Sequence, residues 1–216
     1  MGMQVAAPTM SKVITSLEEL REIISAPAPD SGVVRKELQS IDSHARRFIE
    51  KSPFALLSTA GASGRCDVSP RGDGPGFVRV LDAMTLIIPD RPGNRRLDSM
   101  ENIIENPHAG VLFLVPNVEE TLRVNGRATI VQDRGLLEPM TVKGKVPTLG
   151  IVIEVEELFF HCARSFRRAQ LWQPDTWIER SELPTLGKIM ADQLKLGDDV
   201  VDAIDEGLEK ANKNLY

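Results

Sequence analysis

Residues 86–107 read LIIPDRPGNRRLDSMENIIENP, and this stretch predicts a strand, a basic turn and a short helix. Residues 86–88 form a compact apolar run that is typical of a buried strand. A Pro-Gly dipeptide then marks a turn. After the turn, the apolar residues Leu97, Met100 and Ile104 recur at three- and four-residue spacing, which predicts one apolar helix face. An Asn-Pro pair ends the predicted helix.

The turn carries three arginines, Arg91, Arg95 and Arg96, around the start of the predicted helix at 95–105. Asn94 is predicted to cap this helix by accepting a backbone hydrogen bond. Free N–H groups and the positive end of the helix dipole favour an anion at such a place. Arginine adds bidentate donors that match a phosphate. We therefore expect the turn to hold the phosphate of a cofactor or substrate, and a solvated basic turn without a ligand is the open alternative.

The composition of the 216-residue chain excludes several classes of protein. A net charge of -5 argues against general nucleic-acid binding. No apolar run approaches the roughly 20 residues of a membrane span, and the N-terminus does not have the pattern of a signal peptide. The two cysteines and three histidines have no metal-site spacing, so we expect no bound metal. Two distant cysteines predict reduced thiols and a cytoplasmic protein.

Strand patterns and turns alternate through the middle of the chain. An apolar run, a glycine turn and a second run predict a β-hairpin over residues 54–71. Residues 121–131 alternate polar and apolar side chains, as a half-exposed strand does. The predicted strands are 54–60, 65–71, 77–81, 85–89, 109–115, 121–131 and 149–160. About seven antiparallel strands with tight connections predict a mainly β fold with added helices, in which the strands form a barrel.

Helical patterns flank the predicted barrel. Ser16, followed three residues later by Glu19, forms a capping box and predicts a helix up to residue 24. Residues 1–15 are expected to be loose, and residues 31–51 form a second helical region. Further helices are predicted at 133–140, 162–171, 184–194 and 198–213. We divide the chain into an N-terminal tail with helices (1–50), a β-barrel domain (51–180) and a C-terminal helical extension packed on the barrel (181–216).

Five ordered motifs resemble the pyridoxamine 5'-phosphate oxidase-like flavoproteins, and most closely an uncharacterised FMN-dependent branch of that superfamily. The motifs are DVSPRGD at 67–73, IPDRPGNR at 88–95, NIIENP at 102–107, ETLRVNGR at 120–127 and FFHCA at 159–163. The resemblance covers about residues 50 to 180. It implies an FMN-binding split β-barrel, and a homodimer that binds FMN at the subunit interface with both subunits contributing.

Carried over by position, the resemblance implies a phosphate end of the cofactor site. Asn94, Arg95 and Arg96 fall where the family holds the FMN phosphate. Pro89 and Asp90 fall where a strand end of the family contacts the flavin or its ribityl chain. The resemblance thus narrows the general anion-binding turn to a cofactor phosphate site.

The resemblance also implies a ring end of the site. Ser69 and Arg71 fall on the strand that lies along the isoalloxazine, where the charge of Arg71 would stabilise the reduced, anionic flavin. Thr121 falls near the position from which the family reaches the flavin with a polar side chain. Trp172 has two open interpretations: it covers the flavin, or it packs the C-terminal segment onto the barrel.

The resemblance implies an oxidoreductase that acts on an unidentified small molecule through FMN, with no side chain assigned as catalytic acid or base. The segment that true oxidases use to bind the pyridoxal ring is absent, and EKANKNLY stands at 209–216. Pyridoxamine phosphate is therefore not the expected substrate. Two alternatives stay open: a non-catalytic flavin or heme carrier or sensor, and a reductase that uses the deazaflavin F420.

Overall fold

A computed structural model describes residues 10–216 and divides the chain into two compact units. The first unit ends at Glu37, and the second runs from Leu38 to Tyr216. The predicted loose tail lies partly at residues 1–9, which are outside the described residues. Each unit is described by itself below.

The first unit contains two short helices, α1 (Leu17–Ile23) and α2 (Gly32–Arg35). The predicted cap of α1 is confirmed, because the Ser16 hydroxyl accepts a hydrogen bond from the Glu19 N–H at 3.1 Å. Neither helix has a buried residue.

The second unit is built on a sheet of seven antiparallel strands, which confirms the predicted fold class. The strands are β1 (Phe54–Ala60), β2 (Cys66–Gly72), β3 (Arg79–Val80), β4 (Thr85–Pro89), β5 (His108–Leu114), β6 (Thr121–Val131) and β7 (Gly150–His161). Their spatial order is β2-β1-β5-β6-β7-β4-β3. The sheet is open rather than a closed barrel, since no ladder among the described residues joins the edge strands β2 and β3.

The helix predicted over residues 31–51 is interrupted. Leu38 pairs with Leu158 of β7 through two backbone hydrogen bonds of 2.9 and 2.8 Å, so the backbone there is extended. Helix α3 (Ser43–Lys51) starts afterwards and buries Ala45 and Ile49 completely in the sheet core. Although the sequence groups residues 43–50 with the N-terminal tail, α3 belongs to the second unit.

Helix α4 (Asp98–Glu105) follows the basic turn and packs against β1. Its buried apolar residues are Met100 and Ile103, whereas Leu97 and Ile104 are exposed, so the predicted apolar face is wrong in two of its three positions. The side chain of Asn106 donates to the Ala60 carbonyl at 3.0 Å. The Asn-Pro pair thus fixes the end of α4 to β1 as well as ending the helix.

The remaining helices of the second unit are α5 (Arg134–Leu137), α6 (Arg164–Ala169), α7 (Leu186–Gln193) and α8 (Val201–Lys213), with 3-10 turns at Glu138–Met140, Pro174–Thr176, Arg180–Glu182 and Asp198–Val200. Helices α7 and α8 pack on each other, and Gly187 of α7 is buried where it donates to Asp205 of α8 at 2.8 Å. Within the described residues, every helix is too short or too polar to cross a membrane.

Candidate functional site

A cleft of about 920 Å3 lies beside edge strand β2 and the first turn of α4. Residues 67–72, 89–100 and 145–148 line it, together with Phe77 and Tyr216. Ligand pockets commonly enclose about 300–1,000 Å3, so the cleft has room for a cofactor. Most of the predicted site residues border this one cleft: Ser69, Arg71, Pro89, Asp90, Asn94, Arg95 and Arg96.

Strand β2 directs one of its faces into the cleft. Asp67, Ser69 and Arg71 are half-buried there, whereas the residues between them are exposed. Because successive side chains of a strand point to opposite faces, these three polar groups lie on the same side. The polar sequence of β2 is therefore explained by an edge strand that lines a cleft, where Pro70 is also tolerated.

Ser99, in the first turn of α4, joins the three polar side chains of β2. Its hydroxyl donates to a carboxylate oxygen of Asp67 at 2.5 Å, lies 2.9 Å from the Ser69 hydroxyl and accepts from Arg71 Nη2 at 3.2 Å. Ser99 is buried, and hydrogen bonds are stronger in such surroundings. The sequence does not mark Ser99 as a site residue, because serine is common near helix starts.

Arg71 and Asp90 both line the cleft and form an ion pair, with 3.4 Å between Nη1 and Oδ1. Burial raises the pKa of Asp90 above its ordinary value, and the charge and hydrogen bond of Arg71 offset part of that rise. The Nε of Arg71 is buried and has no hydrogen-bond partner among the described residues. A buried donor without a partner is uncommon in folded proteins, and a bound group is one explanation for it.

The basic turn has an unusual backbone. Arg95 and Leu97 adopt left-handed conformations with φ of 60° and 61°, which few residues other than glycine adopt. The prediction that Asn94 caps the helix is wrong, because α4 begins at Asp98 and Leu97 is its N-cap. The Asn94 side chain instead accepts from the Arg96 N–H at 3.0 Å and thereby stabilises the turn itself.

The two arginines at the centre of the turn are exposed. Arg96 makes two hydrogen bonds to the Asp98 carboxylate, at 2.7 and 3.2 Å. These bonds lower the pKa of Asp98 and raise the pKa of Arg96. Arg95 makes no hydrogen bond or ion pair with the part of the chain that the structure describes. The turn therefore presents one free guanidinium and one that a carboxylate holds at the surface.

Arg91 is engaged differently from its two neighbours. Its Nε donates to Asp73 at 2.6 Å and its Nη2 to the Met140 carbonyl at 3.0 Å. Asp73 also accepts from the Gly74 N–H at 2.7 Å and from the Tyr216 hydroxyl at 2.6 Å. Burial alone would raise the pKa of Asp73, but the bonds from Tyr216 and Gly74 and the charge of Arg91 together lower it.

Two predicted site residues lie elsewhere in the chain. Thr121 is buried at the start of β6, where it pairs with His161 of β7. Trp172 donates its indole N–H to the Val118 carbonyl at 2.9 Å and lines a second, shallower cavity of about 440 Å3. Neither residue borders the main cleft of the same chain.

A family model described as pyridoxamine 5'-phosphate oxidase matches residues 41–162. This span contains all seven strands and all the residues of β2, the basic turn and α4 that line the cleft. Tyr216 and the helices α6 to α8 lie outside it. None of the curated proteins matches the chain.

Several solved structures resemble part of the chain. HupZ of Group A Streptococcus shares 22% identity, covering 56% of this chain and 93% of that chain, with a TM-score of 0.46. A putative pyridoxamine 5'-phosphate oxidase of Lactobacillus delbrueckii shares 20% identity over 57% of this chain and 98% of its own (TM-score 0.44). An FMN-binding protein of Syntrophomonas wolfei shares 13% over 54% and 88% (TM-score 0.41). At these values the likeness carries no information on cofactor or activity.

Proposed function

The chain belongs to the pyridoxamine 5'-phosphate oxidase family, and we propose that it is an FMN-dependent oxidoreductase that acts on a small molecule. The observation that carries the proposal is a set of hydrogen-bond donors along the cleft that have no partner in the described part of the chain. Arg95 has no partner among the described residues, and neither has the buried Nε of Arg71. Both lie within the segment that the family model matches, and a phosphorylated planar cofactor carries the acceptors that these donors lack.

The basic turn is the proposed phosphate end. Asn94, Arg95 and Arg96 would hold the phosphate beside the first turn of α4, whose free N–H groups and dipole also favour an anion. Arg96 would have to share its guanidinium with Asp98 or release it. Arginine forms paired, charge-assisted hydrogen bonds to phosphate, which are stronger than neutral ones.

The β2 side is the proposed ring end. Ser69, Arg71, Pro89 and Asp90 would contact the isoalloxazine and the ribityl chain. Bound FMN supplies two-electron transfer, which the protein itself does not provide. Arg71, held by Asp90 and Ser99, keeps a positive charge fixed in the cleft and favours negative charge that develops beside it.

We further propose that the chain is a homodimer. Apolar side chains on the outer face of neighbouring strands β1, β2 and β5 are exposed or half-exposed: Phe54, Leu56, Val68, Leu112 and Leu114. They are in register, since Leu56 lies opposite Leu112 and Phe54 opposite Leu114. A contiguous apolar patch of this kind is typical of a protein interface.

A second copy on that face also gives a role to the two predicted residues outside the cleft. In a site shared between subunits, Thr121 and Trp172 would contact the cofactor bound in the partner's cleft. Light scattering tests the assembly: we expect twice the mass of one chain, and Leu112→Glu should lower it to the mass of one chain. An unchanged mass for Leu112→Glu would place the interface elsewhere.

The absorbance and mass spectrum of the purified protein test the proposed cofactor. We expect a yellow protein that releases FMN on denaturation. A released deazaflavin would indicate an F420-dependent enzyme, and colourless protein that FMN does not reconstitute would overturn the proposal. Stopped-flow reduction by nicotinamide cofactors then separates an oxidoreductase from a flavin carrier.

A further inference from the structure

Tyr216 lines one part of the cleft and contacts several charged residues there. Its hydroxyl donates to Asp73 at 2.6 Å, and its ring centroid lies 5.1 Å from Lys143 Nζ and 5.8 Å from the guanidinium carbon of Arg91. Lys145 Nζ donates to the main-chain oxygen of Tyr216. The hydroxyl, the ring and the backbone oxygen of one residue therefore each have a complementary partner.

These four partners, Asp73, Arg91, Lys143 and Lys145, are called the tyrosine seat below. Two of them are fixed independently of Tyr216. The side chains of Asp73 and Arg91 are only 7% and 16% exposed and are joined at 2.6 Å. Each also bonds to the backbone: Asp73 accepts from the Gly74 N–H, and Arg91 donates to the Met140 carbonyl. The seat therefore keeps its acceptor and one of its cations when Tyr216 is elsewhere.

The segment that carries Tyr216 is not part of a helix or strand. Helix α8 ends at Lys213, and residues 214–216 form no regular structure. Leu215, the neighbour of Tyr216, is 58% exposed. The contacts in the seat thus hold the tyrosine in the cleft, and a ligand that replaced those contacts would release it.

We propose that the tyrosine seat is a ligand subsite for a hydroxyaromatic acid and that Tyr216 occupies it until such a ligand displaces it. Asp73 selects a phenolic hydroxyl because its carboxylate accepts a hydrogen bond. Arg91 and Lys143 attract the face of an aromatic ring. Lys145, which binds the main-chain oxygen of Tyr216, would pair instead with the carboxylate of the ligand.

This inference rests on the proposed function, since the subsite opens into the cleft that would hold FMN. It names the substrate class of that oxidoreductase as a phenol that carries a carboxylate. Because Tyr216 occupies the seat, the apparent affinity for the ligand is the intrinsic affinity multiplied by the fraction of protein in which the seat is empty. Removing the tyrosine side chain should therefore strengthen binding rather than weaken it.

Calorimetric titration of the flavin-loaded protein with 4-hydroxyphenylacetate tests this inference. We expect Tyr216→Ala to bind this probe about tenfold more tightly than the wild type, because no tyrosine side chain then competes for Asp73, Arg91 and Lys143. In Tyr216→Ala, phenylacetate should bind about tenfold more weakly than 4-hydroxyphenylacetate, because it lacks the hydroxyl that Asp73 accepts. Tyramine, which carries an amine in place of the carboxylate, should also bind more weakly. Tyr216→Phe is the matched variant: it keeps the ring but not the hydrogen bond, and its affinity should be intermediate.

The inference is overturned if Tyr216→Ala and Tyr216→Phe bind the probe no better than the wild type, or if Tyr216→Ala does not distinguish the three probes. The seat would then be a structural anchor for residues 214–216. Flavin content is measured separately by absorbance. Normal flavin content without the probe effect refutes only the subsite, whereas failure of the wild type to bind FMN refutes the proposed function.

Discussion

The two sides of the cleft are built in different ways. On the β2 side, Ser69 and Arg71 are tied to Ser99 by hydrogen bonds of 2.9 and 3.2 Å, and all of these groups are at least half-buried. On the turn side, Arg96 is 65% exposed and Arg95 has no partner among the described residues. On the β2 side, hydrogen bonds within the protein hold the polar side chains in place. On the turn side, the arginine side chains are exposed and could bind an anion.

The backbone points to the same difference. Arg95 and Leu97 on the turn side are in the left-handed region, at a cost of about 1–2 kcal/mol each. Backbone strain of this kind is concentrated at binding sites, where the surrounding structure maintains it. The β2 side is therefore preorganised, whereas an anionic ligand would complete the turn side.

The largest expected effect comes from removing the arginines of the turn side. The double variant Arg95→Ala with Arg96→Ala should raise the Kd for FMN about 100-fold, because it removes charge-assisted bonds to the phosphate. Fluorescence titration with FMN measures this change. Arg134→Ala is the matched control, since Arg134 is 80% exposed and paired with Glu138 outside the cleft. Equal Kd values for the double variant and the control would locate the phosphate elsewhere.

A smaller effect is expected from a substitution that removes the hydrogen bonds of the β2 side and leaves the residues of the turn unchanged. Ser99→Ala should lower the free energy of unfolding by about 1–3 kcal/mol, because Asp67 and Arg71 lose a buried partner. Urea unfolding measures the change, and Ser181→Ala at an exposed position is the control. A loss no greater than that of the control would show that the hydrogen-bond network does not stabilise the fold.

The smallest expected effect is a difference in the pH dependence of stability between one carboxylate on the β2 side and one on the turn side. The pKa of Asp90 is raised, so its contribution to stability decreases as pH rises from below 3.8 through the folded-state pKa. The pKa of Asp98 is lowered, so its contribution is present above 3.8 and is lost as pH falls through the folded-state pKa. Urea unfolding between about pH 2.5 and 6 should therefore show that Asp90→Asn and Asp98→Asn change the pH dependence in opposite directions. The same direction for both would contradict this contrast.

Local patterns predict the sheet well. Strands β1, β4 and β6 begin and end at the predicted residues, because each is an apolar or alternating run between turn residues. The start of α4 is predicted wrongly, because no propensity places Leu97 in a left-handed conformation. Sequence patterns likewise give no sign of contacts between distant residues, such as the bond from Tyr216 to Asp73, 143 positions apart.

The residues of the cleft are predicted only in part, because sequence patterns report local features and not contacts between distant residues. Arg95 and Arg96 are identified because a basic turn beside a helix is a local feature of the sequence. Ser99 is missed because its importance depends on β2, which lies about 30 residues away and meets it only in the folded chain. The hydrogen bonds between α4 and β2 are therefore harder to predict from the sequence than the basic turn.

Comparison of FMN with riboflavin in binding to the wild-type protein tests the central claim most directly, since the two ligands differ only in the phosphate. The Kd for FMN should be about 100-fold lower than that for riboflavin, and the Arg95→Ala, Arg96→Ala variant should bind both ligands with the affinity of riboflavin. Equal affinity of the wild type for FMN and riboflavin would contradict the claim that the turn at 94–96 binds a cofactor phosphate.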